Sequence, residues 1–435
     1  MDAGTHEAAG QVFSANSWIW APDDEHVYIP AKVKAAFQKG HQGDVYLEGG
    51  DASSFTVLSS ETSAKCTILD EQSLGELDNM VQFRDLSEGP LLHNLRKRYS
   101  RNCIYTYVGT ILVAINPFKK LPIYTPEVLK EYIASSGQVK LPHVFATAAA
   151  AYSQLTLNKR SQAICISGES GAGKTETMKF MLQFLAEVSG KSAQSTNASV
   201  AASAEDSRAN IEDKILATNP LTEGIGNAKT LRNDNSSRFG KWTSLHFSSL
   251  GNIYSAEITQ YLLEKSRVTF QNEGERNYHI FYQLFAACHS NPSLQKRLQL
   301  ETISKYNYVN QSSTVIVSGI DDGYDFDQLR TAMVRLRIPE ADIDHVFDIC
   351  AAVLHLGNMK FELSDADEAR CIDRAPLETA AKLFQVEAAE LEEQLISKNI
   401  GTHSVVRVPY TVEEACNARD VMAKHTYGRL FDWLI

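Results

Sequence analysis

Apolar and polar residues repeat with two different periods along this chain, and the change of period divides it into regions. Short alternating runs, "VYIPAKV", "DVYLEG" and "SFTVLSS", are separated by Gly, Asp and Ser and predict a small all-β module at residues 16–69. Alternating residues on either side of Val108-Gly109 and of Gly251-Asn252 predict two β-hairpins. From Arg276 onward, apolar residues recur at helical spacing, as in "NYHIFYQLFAACH", so this part is predicted to be mainly helical.

Two stretches of the chain show neither period. Residues 1–15 are predicted to be a disordered N-terminus. Residues 189–210, "SGKSAQSTNASVAASAEDSRAN", are almost entirely small and polar, which predicts a flexible surface loop. This loop is the clearest break in the chain, so we predict one region at 70–188 and another at 211–435.

Composition and charge narrow the class of protein. The chain has 435 residues, of which 43% are hydrophobic and 22% are charged, as in an ordinary globular protein. A net charge of −11 argues against broad binding to nucleic acid, because phosphate contacts need clustered Lys and Arg. The seven cysteines lack metal-ligand spacing and predict reduced thiols in the cytosol. The N-terminus lacks the features of a signal peptide, and no apolar run is long enough to predict a transmembrane helix.

A glycine-rich segment, "GESGAGKT" at residues 168–175, fits the pattern G-x-x-x-x-G-K-[ST] of a phosphate-binding loop. The apolar run "SQAICIS" at 161–167 precedes it and predicts a strand. Four apolar residues follow at the spacing of one helix face: Met178, Met181, Leu182 and Leu185. The order strand, glycine loop, helix is the context that the motif requires.

The chemistry of this loop follows from its residue types. Glycines let successive backbone N–H groups turn toward an anion, and the helix N-terminus adds a partial positive charge. Lys174 would reach the β- and γ-phosphates of a nucleotide, and the Thr175 hydroxyl would bind Mg²⁺. The loop alone does not distinguish kinases, transporters, switches and motors.

A second polar constellation, "NAKTLRNDNSSRFGKW" at residues 227–242, is dense in hydrogen-bonding side chains. One interpretation is an ordinary Asn/Ser turn. Beside a phosphate-binding loop, the Ser-Ser-Arg set would instead supply a metal-binding hydroxyl, a water-positioning hydroxyl and a charge that holds another segment.

Five segments together resemble the motor domain of a myosin: "GESGAGKTET", "NPLTEGIGNAKTLRNDNSSRFGKW", "YLLEKSRVTFQNEGERNYHIFYQL", "LHLGN" and "NARDVMAKHTYGRLFDWLI". The upstream segment "LHNLRKRYSRNCIYTYVGTILVAINPFKKLPIY" also fits, so the resemblance extends from about residue 80 to 435. It implies an α/β fold, with a mixed sheet of the P-loop NTPase type and surrounding helices. An SH3-like β-barrel at 16–69 would precede this sheet, and a helical upper 50-kDa region at 211–435 would follow it. The barrel disfavours the myosin class that begins directly with the motor core.

The resemblance also implies roles for particular residues with ATP and Mg²⁺ as cofactors. The phosphate loop would comprise eight residues: Gly168, Glu169, Ser170, Gly171, Ala172, Gly173, Lys174 and Thr175. Three residues would lie near the adenine base: Asn116, Pro117 and Tyr124. In the segment resembling switch I, Asn233 would approach the phosphates and Ser237 would join Thr175 on Mg²⁺. The residues with catalytic roles would be Lys174, Ser236, which would orient the attacking water, and Arg238, which would pair with a glutamate of switch II.

Partners and location are also implied by the resemblance. The loop at 397–411 would contact actin filaments in the cytoplasm. Within it Ser404 occupies a position that is acidic or phosphorylatable in the family, although an ordinary exposed serine is an equally simple interpretation. Light chains or calmodulin would bind only through a lever, which these residues do not include.

One family segment is missing from these residues. No Asp-x-x-Gly-Phe-Glu motif of switch II occurs in the sequence, and the strand predicted at 161–167 would lack its neighbours in the family sheet. We therefore expect the front part of a motor. The parent would hydrolyse MgATP with actin activation, whereas these residues alone would not complete the cycle. The alternatives are a non-enzymatic nucleotide-binding scaffold and, less simply, another phosphate-loop enzyme such as a small-molecule kinase.

Overall fold

The structure, a computed structural model, describes residues 10–50, 54–134, 141–194, 214–215, 217–364, 368–400 and 406–435. The chain divides into two compact units. The first comprises Met1–Gly168 and Ala172–Leu185, and the second comprises Glu169–Gly171 and Ala186–Ile435.

The first unit begins with a small antiparallel sheet. Its strands are β1 (Val12–Phe13), β2 (Trp18–Asp23), β3 (Val27–Val33), β4 (Phe37–Gln38), β5 (Gly43–Leu47), β6 (Thr56–Leu58) and β7 (Thr67–Ile68). Five of them pair in the order β6-β5-β3-β2-β7, and β1 pairs with β4. Ile19 of β2, Ala31 of β3 and Val45 of β5 are fully buried and belong to the core of the module. The β-module that the sequence predicts is therefore present.

Two details of this module differ from the prediction. Strand β1 lies inside the segment expected to be disordered. It is ordered because Phe13 is 1% exposed and its ring centroid lies 5.2 Å from that of Phe37. A short helix, α1 (Ser60–Lys65), separates β6 from β7. Its N-cap Ser59 accepts a hydrogen bond from the Thr62 N–H, which explains why a stretch with β-type neighbours turns helical.

The rest of the first unit contains one hairpin and several helices. They are α2 (Glu88–Ser100), β8 (Tyr105–Val108), β9 (Ile111–Ala114), α3 (Pro126–Ala134), α4 (Val144–Asn158) and the start of α5 (Lys174–Gln194). The β8–β9 hairpin confirms the predicted turn, where Gly109 has a positive φ of 63°.

The predicted strand at 161–167 does not form, and the described residues contain no sheet around the phosphate loop. These residues pair with no strand among the described residues, and all seven are exposed or half-exposed. A strand exists only through its ladder partners, so an apolar run without a neighbour stays irregular. The prediction of a mixed P-loop sheet is therefore not met within the part of the chain that the structure describes.

The predicted loop at 189–210 also needs correction at its start. Helix α5 continues to Gln194, and Ser189 is 3% exposed with its hydroxyl donating to the Ala186 carbonyl. A serine that bonds back to its own helix is tolerated within it. One of the boundaries between the two units lies within α5, between Leu185 and Ala186. Residues 195–210 lie outside the described residues.

The second unit is mainly helical, as predicted, and its described residues form four two-stranded sheets. Its first elements are α6 (217–226), β10 (Asn227–Ala228), β11 (Ser236–Ser237), β12 (Gly240–Phe247), β13 (Ile253–Tyr261), α7 (His279–Ser290) and α8 (Pro292–Leu298). The later elements are α9 (Asp322–Arg335), α10 (Glu340–Gly357), β14 (Phe361–Leu363), β15 (Ala369–Cys371), α11 (Arg374–Phe384), α12 (Ala388–Ile396), β16 (Ser397–Ile400), β17 (Val406–Pro409) and α13 (Val412–Leu434). The β12–β13 hairpin turns at Gly251 as predicted.

The core of the second unit surrounds α10, in which every residue from Cys350 to Gly357 is buried. This helix packs against α11 and α13. Helix α13 starts at a capping box, in which Thr411 and Glu414 exchange side-chain and backbone hydrogen bonds. Among the described residues, no helix is both long and apolar enough to cross a membrane. All seven cysteines are free thiols.

Candidate functional site

The glycine-rich loop has the backbone conformation that its glycines permit. Gly171 and Gly173 have φ values of 85° and 93°, in the left-handed region that other residues rarely enter. Helix α5 begins at Lys174, as the sequence predicts, so its N-terminal turn lies directly after the loop. The Lys174 ammonium donates a hydrogen bond to the Gly168 carbonyl over 2.7 Å. The lysine therefore closes the loop from its helical side.

The tip of the loop, Glu169–Gly171, contacts the polar segment at 232–236. The hydroxyls of Ser170 and Ser236 are 2.7 Å apart and form a hydrogen bond across 66 residues of sequence. A Cβ on Gly171 would lie 3.6 Å from the Cβ of Asn233, so the two backbones approach closely. The structure thus brings together three residues that the sequence assigned to one site: Ser170, Asn233 and Ser236.

The two serines of the polar segment face opposite sides. Strand β11 consists of Ser236 and Ser237, which pair with Ala228 and Asn227 of β10. Because successive strand residues alternate in direction, Ser236 is 3% exposed whereas Ser237 is exposed. Ser236 therefore lies inside the protein, whereas Ser237 lies at its surface.

The side chain of Asn235 is held by three residues that the sequence did not single out. Its side-chain oxygen accepts from the Asn227 amide over 2.8 Å and lies 3.2 Å from Nε2 of His279. Its own amide donates to the Glu223 carboxylate over 3.2 Å, which fixes the orientation of the amide. Burial, reinforced by the nearby Arg276 guanidinium, lowers the pKa of His279 to about 3, so the imidazole is neutral and Nε2–H donates. In the sequence, the signal for His279 is a histidine at the start of the apolar helix α7.

Arg238 pairs with Glu264 in this structure. Its Nε donates to the Glu264 carboxylate over 2.6 Å, and its Nη1 donates to the Ser236 hydroxyl over 3.0 Å. The same carboxylate oxygen accepts from Arg267 over 2.8 Å. The family resemblance implied a pair between Arg238 and a glutamate of switch II, and nothing in the sequence singled out Glu264. The ion pair with Glu264 orients the Arg238 guanidinium, which in turn orients the Ser236 hydroxyl.

The ionisation of Glu264 gives a testable pH dependence. Burial alone would raise its pKa, but hydrogen bonds from Arg238 and Arg267 outweigh burial and hold the pKa below its ordinary value of 4.5. A lowered pKa in the folded state means that the carboxylate stabilises the fold above the ordinary value. This stabilisation is lost as the pH falls through the lowered value.

Glu264→Gln is therefore expected to lower the free energy of unfolding at neutral pH by about 1–2 kcal/mol, because each guanidinium loses a charged acceptor. The difference from the unmodified chain should shrink as the pH falls below about 4.5. Urea unfolding at neutral pH and at a pH below about 4.5 measures this difference in the free energy of unfolding. Glu257→Gln, at an exposed position of β13, is the matched control and should show no such pH-dependent difference. A difference for Glu264→Gln that stays constant with pH would contradict the assignment.

The three residues predicted near an adenine base lie in the segment that follows β9. The side-chain oxygen of Asn116 accepts from the Phe118 N–H over 2.9 Å, and Pro117 lies half-buried between them. The Tyr124 hydroxyl is 2.7 Å from that of Tyr105. The Tyr124 ring also stacks on Phe180 of α5, with ring centroids 3.7 Å apart. This segment therefore combines a polar turn with an immobilised aromatic ring.

The segment predicted to contact actin is a hairpin in its described parts. Strands β16 and β17 pair from Ser397↔Pro409 to Ile400↔Val406. Arg407 of β17 donates to Glu393 over 2.6 Å and to Glu368 over 3.0 Å. Ser404 lies outside the described residues, so the structure does not bear on its predicted modification.

Comparisons with known proteins agree with the resemblance found in the sequence. The family model described as "Myosin head (motor domain)" matches residues 77–435. The chain is 38% identical over 432 residues to unconventional myosin-Va of Homo sapiens, covering 98% of this chain and 22% of that protein. It is 36% identical over 448 residues to myosin-J heavy chain of Dictyostelium discoideum, covering 98% of this chain and 20% of that protein. It is 41% identical over 366 residues to myosin-3 of Arabidopsis thaliana, covering 83% of this chain and 30% of that protein.

The matched range includes the glycine-rich loop, the Ser236–Ser237 strand and the helices that support them. The chain spans about a fifth of the length of the first of these relatives, at 22%. This chain belongs to the myosin head (motor domain) family.

Proposed function

We propose that this chain is the N-terminal part of an actin-based motor that binds and hydrolyses MgATP to move along actin filaments. The observation that supports the proposal most directly is the 2.7 Å hydrogen bond between Ser170 and Ser236, which joins the phosphate loop to the switch I segment. Positioned groups of this kind are what phosphoryl transfer requires, because most of its catalysis is orientation and charge stabilisation.

The residue types of the loop suit the binding of a nucleoside triphosphate. In this proposal the backbone N–H groups of Gly168–Thr175 hold the phosphates, and the lysine at the start of α5 neutralises their charge. Asn233 contacts the phosphates from the switch I side, while Asn116, Pro117 and Tyr124 receive the base. Mg²⁺ is coordinated by oxygen ligands, so the hydroxyls of Thr175 and Ser237 are proposed to hold this ion. The bound metal would neutralise charge on the phosphate oxygens.

Ser236 and Arg238 are proposed to prepare the attacking water. Arg238 donates to the Ser236 hydroxyl, so the proton of this hydroxyl is directed away from the guanidinium, toward Ser170 or a water on that side. Because Ser236 is 3% exposed and is bonded on both sides, its position does not depend on solvent. Arg238 must leave Glu264 if it is to pair with a glutamate of switch II, as the family resemblance implies.

The finer architecture is proposed on the same basis. The five-stranded module corresponds to the SH3-like barrel, and the second unit to the upper 50-kDa region. The β16–β17 hairpin and the residues between its strands would face actin, with Ser404 as a candidate modification site. We place the parent protein in the cytoplasm on the actin cytoskeleton, with light chains or calmodulin bound only through a lever.

The binding proposal is tested by titrating the 435-residue chain with a fluorescent ATP analogue, with Mg²⁺ and with a chelator. Weak binding that strengthens with Mg²⁺ is expected. Thr175→Ala and Ser237→Ala should each lower the Mg²⁺-dependent gain in affinity by about tenfold, because each removes one metal ligand. Thr177→Ala, one half-turn further along α5, is the matched control and should leave the gain unchanged. Equal affinity with and without Mg²⁺ would contradict the metal assignment.

Actin-activated ATP turnover is expected to differ between this chain and the longer parent protein. The 435-residue chain alone is expected to show no actin-activated ATP hydrolysis, because it contains no Asp-x-x-Gly-Phe-Glu segment. Phosphate release measured with and without actin filaments tests this. Faster release in the presence of filaments would show that these residues suffice for the cycle.

A further inference from the structure

The carboxamide of Asn235 is held at both ends by residues of the second unit. Its nitrogen donates to Glu223 of α6 over 3.2 Å. Its oxygen accepts from the Asn227 amide over 2.8 Å and lies 3.2 Å from Nε2 of His279, the first residue of α7. Asn227 and His279 are 1% and 5% exposed, so the oxygen is bonded to groups that belong to the interior of the unit.

The surroundings of His279 favour a single protonation state. Its Nδ1 is buried and has no hydrogen-bond partner among the described residues. A proton on Nδ1 would therefore be a buried donor without an acceptor, which is unfavourable. The neutral ring with its proton on Nε2 avoids this, and that proton is the one that meets the Asn235 oxygen.

The backbone of Asn235 in turn orients the side chain of Asn233. The Asn235 N–H donates to Oδ1 of Asn233 over 3.0 Å, and the Asn235 carbonyl accepts from Nδ2 of Asn233 over 3.2 Å. A Cβ on Gly171 would lie 3.6 Å from the Cβ of Asn233, so this side chain lies beside the glycine-rich loop. A carboxamide nitrogen carries two N–H donors, and one of them is directed at Asn235, which leaves the second for a phosphate oxygen.

The segment between β10 and β11 depends on these hydrogen bonds because it buries few side chains. Arg232, Asp234 and Asn235 are all exposed. The ion pairs of the first two, with Glu169 and with Lys229, each have an exposed partner and so contribute little. Segments with few buried contacts open easily unless hydrogen bonds tie them to the core.

We propose that Glu223 and His279 are positioning residues of the candidate nucleotide site. They act through Asn235: its carboxamide fixes the backbone at this position, and the backbone orients Asn233 toward the phosphates. The inference rests on the proposed function for the identity of the ligand, whereas the hydrogen bonds exist without a nucleotide. Two helices of the second unit, α6 and α7, thereby set the geometry of the switch I segment.

Exchanging the donor and the acceptor between positions 235 and 223 tests the proposal. Asn235→Asp keeps the shape of the side chain but places a second carboxylate against Glu223, and at neutral pH the two repel each other. Hydrogen–deuterium exchange of the peptide covering residues 230–238, measured without nucleotide, should become about tenfold faster. Adding Glu223→Gln supplies a donor to the new carboxylate, so exchange should return to within about threefold of the unmodified chain.

Affinity for a fluorescent ATP analogue with Mg²⁺ is the second measurement. Asn235→Asp should weaken binding about tenfold, and the double variant with Glu223→Gln should recover most of this loss. His279→Gln keeps an N–H donor and should bind within about threefold of the unmodified chain, whereas His279→Phe lacks the donor and should bind about tenfold more weakly. Asn272→Asp places the same charge at an exposed position of the same unit and should change neither measurement.

Three results would overturn the proposal: unchanged exchange at 230–238 in Asn235→Asp, no recovery when Glu223→Gln is added, or faster exchange without a loss of affinity. Exchange of the buried part of α10, Cys350–Gly357, should stay unchanged in every variant, which shows that the fold is intact. If the unmodified chain does not bind the analogue, the proposed nucleotide function fails. The exchange measurements then still decide whether Glu223 holds Asn235 in place.

Discussion

Replacing Lys174 with alanine is expected to lower the affinity of this chain for MgATP by about 100-fold, the effect of losing a charge-assisted contact to phosphate. Lys174 is the first residue of α5, and its ammonium donates to the Gly168 carbonyl across the loop. The same ammonium would meet the β- and γ-phosphates, where no other side chain of the loop carries a positive charge. Competition between ATP and a fluorescent analogue measures the change.

Lys179→Ala is the matched control for this prediction. Lys179 lies on the same helix and pairs with Glu176 over 2.8 Å, so its loss removes an equal charge without touching the loop. Its affinity should stay within about twofold of the unmodified chain, as expected for a screened surface charge. If both variants lose affinity equally, the helix as a whole attracts the nucleotide and Lys174 has no special role.

Replacing Arg276 with alanine is expected to lower the free energy of unfolding by about 3–5 kcal/mol, the usual cost of leaving a buried charge without its partner. Arg276 is fully buried, donates to Asp322 over 2.7 Å and lies 3.7 Å above the Tyr282 ring. Burial raises the pKa of Asp322, and Arg276 is the group that opposes this rise. Without the guanidinium, Asp322 must take up a proton or remain charged in a poorly solvated position. Urea unfolding at neutral pH measures the loss.

Arg330→Ala provides the comparison on the same unit. Arg330 also pairs with a carboxylate, Glu340, but both side chains are about half exposed, at 48% and 58%. Its loss should cost no more than about 1 kcal/mol. The double variant Arg276→Met with Asp322→Leu should regain part of the stability that Arg276→Ala loses, because no unpaired charge remains. Equal costs for Arg276→Ala and Arg330→Ala would show that burial of the ion pair has no influence on stability.

Much of the local structure could be predicted because its causes lie within a few residues of sequence. Eight consecutive residues, 168–175, contain the glycines, the lysine and the threonine of the loop, so its conformation and the start of α5 follow from spacing alone. The hairpins at Gly109 and Gly251 follow from glycines that accept a positive φ. Helical spacing after Arg276 predicted α7, α10 and α13 for the same reason.

The neighbours of the candidate site were decided only by tertiary structure. Ser170 and Ser236 are 66 residues apart, Arg238 and Glu264 are 26 apart, and Asn235 and His279 are 44 apart. Spacing along the chain says nothing about which of several carboxylates or imidazoles packing will bring to a given donor. The sequence could propose that Ser236 and Arg238 act together with the loop. It could not identify Glu264 as the partner of Arg238, or Glu223 and His279 as partners of Asn235.

Two segments show where prediction of secondary structure from the sequence fails: residues 161–167 and the first residues after Ser189. The first has the apolar composition of a strand and stays irregular, because a strand is stabilised by hydrogen bonds to another part of the chain. The second has the composition of a loop but continues α5 to Gln194, with Ser189 buried. Sequence determined the chemistry of the loop and the local turns, whose causes are short-range. Packing decided which segments became strand or helix and which side chains met, because those free energies depend on partners far away in sequence.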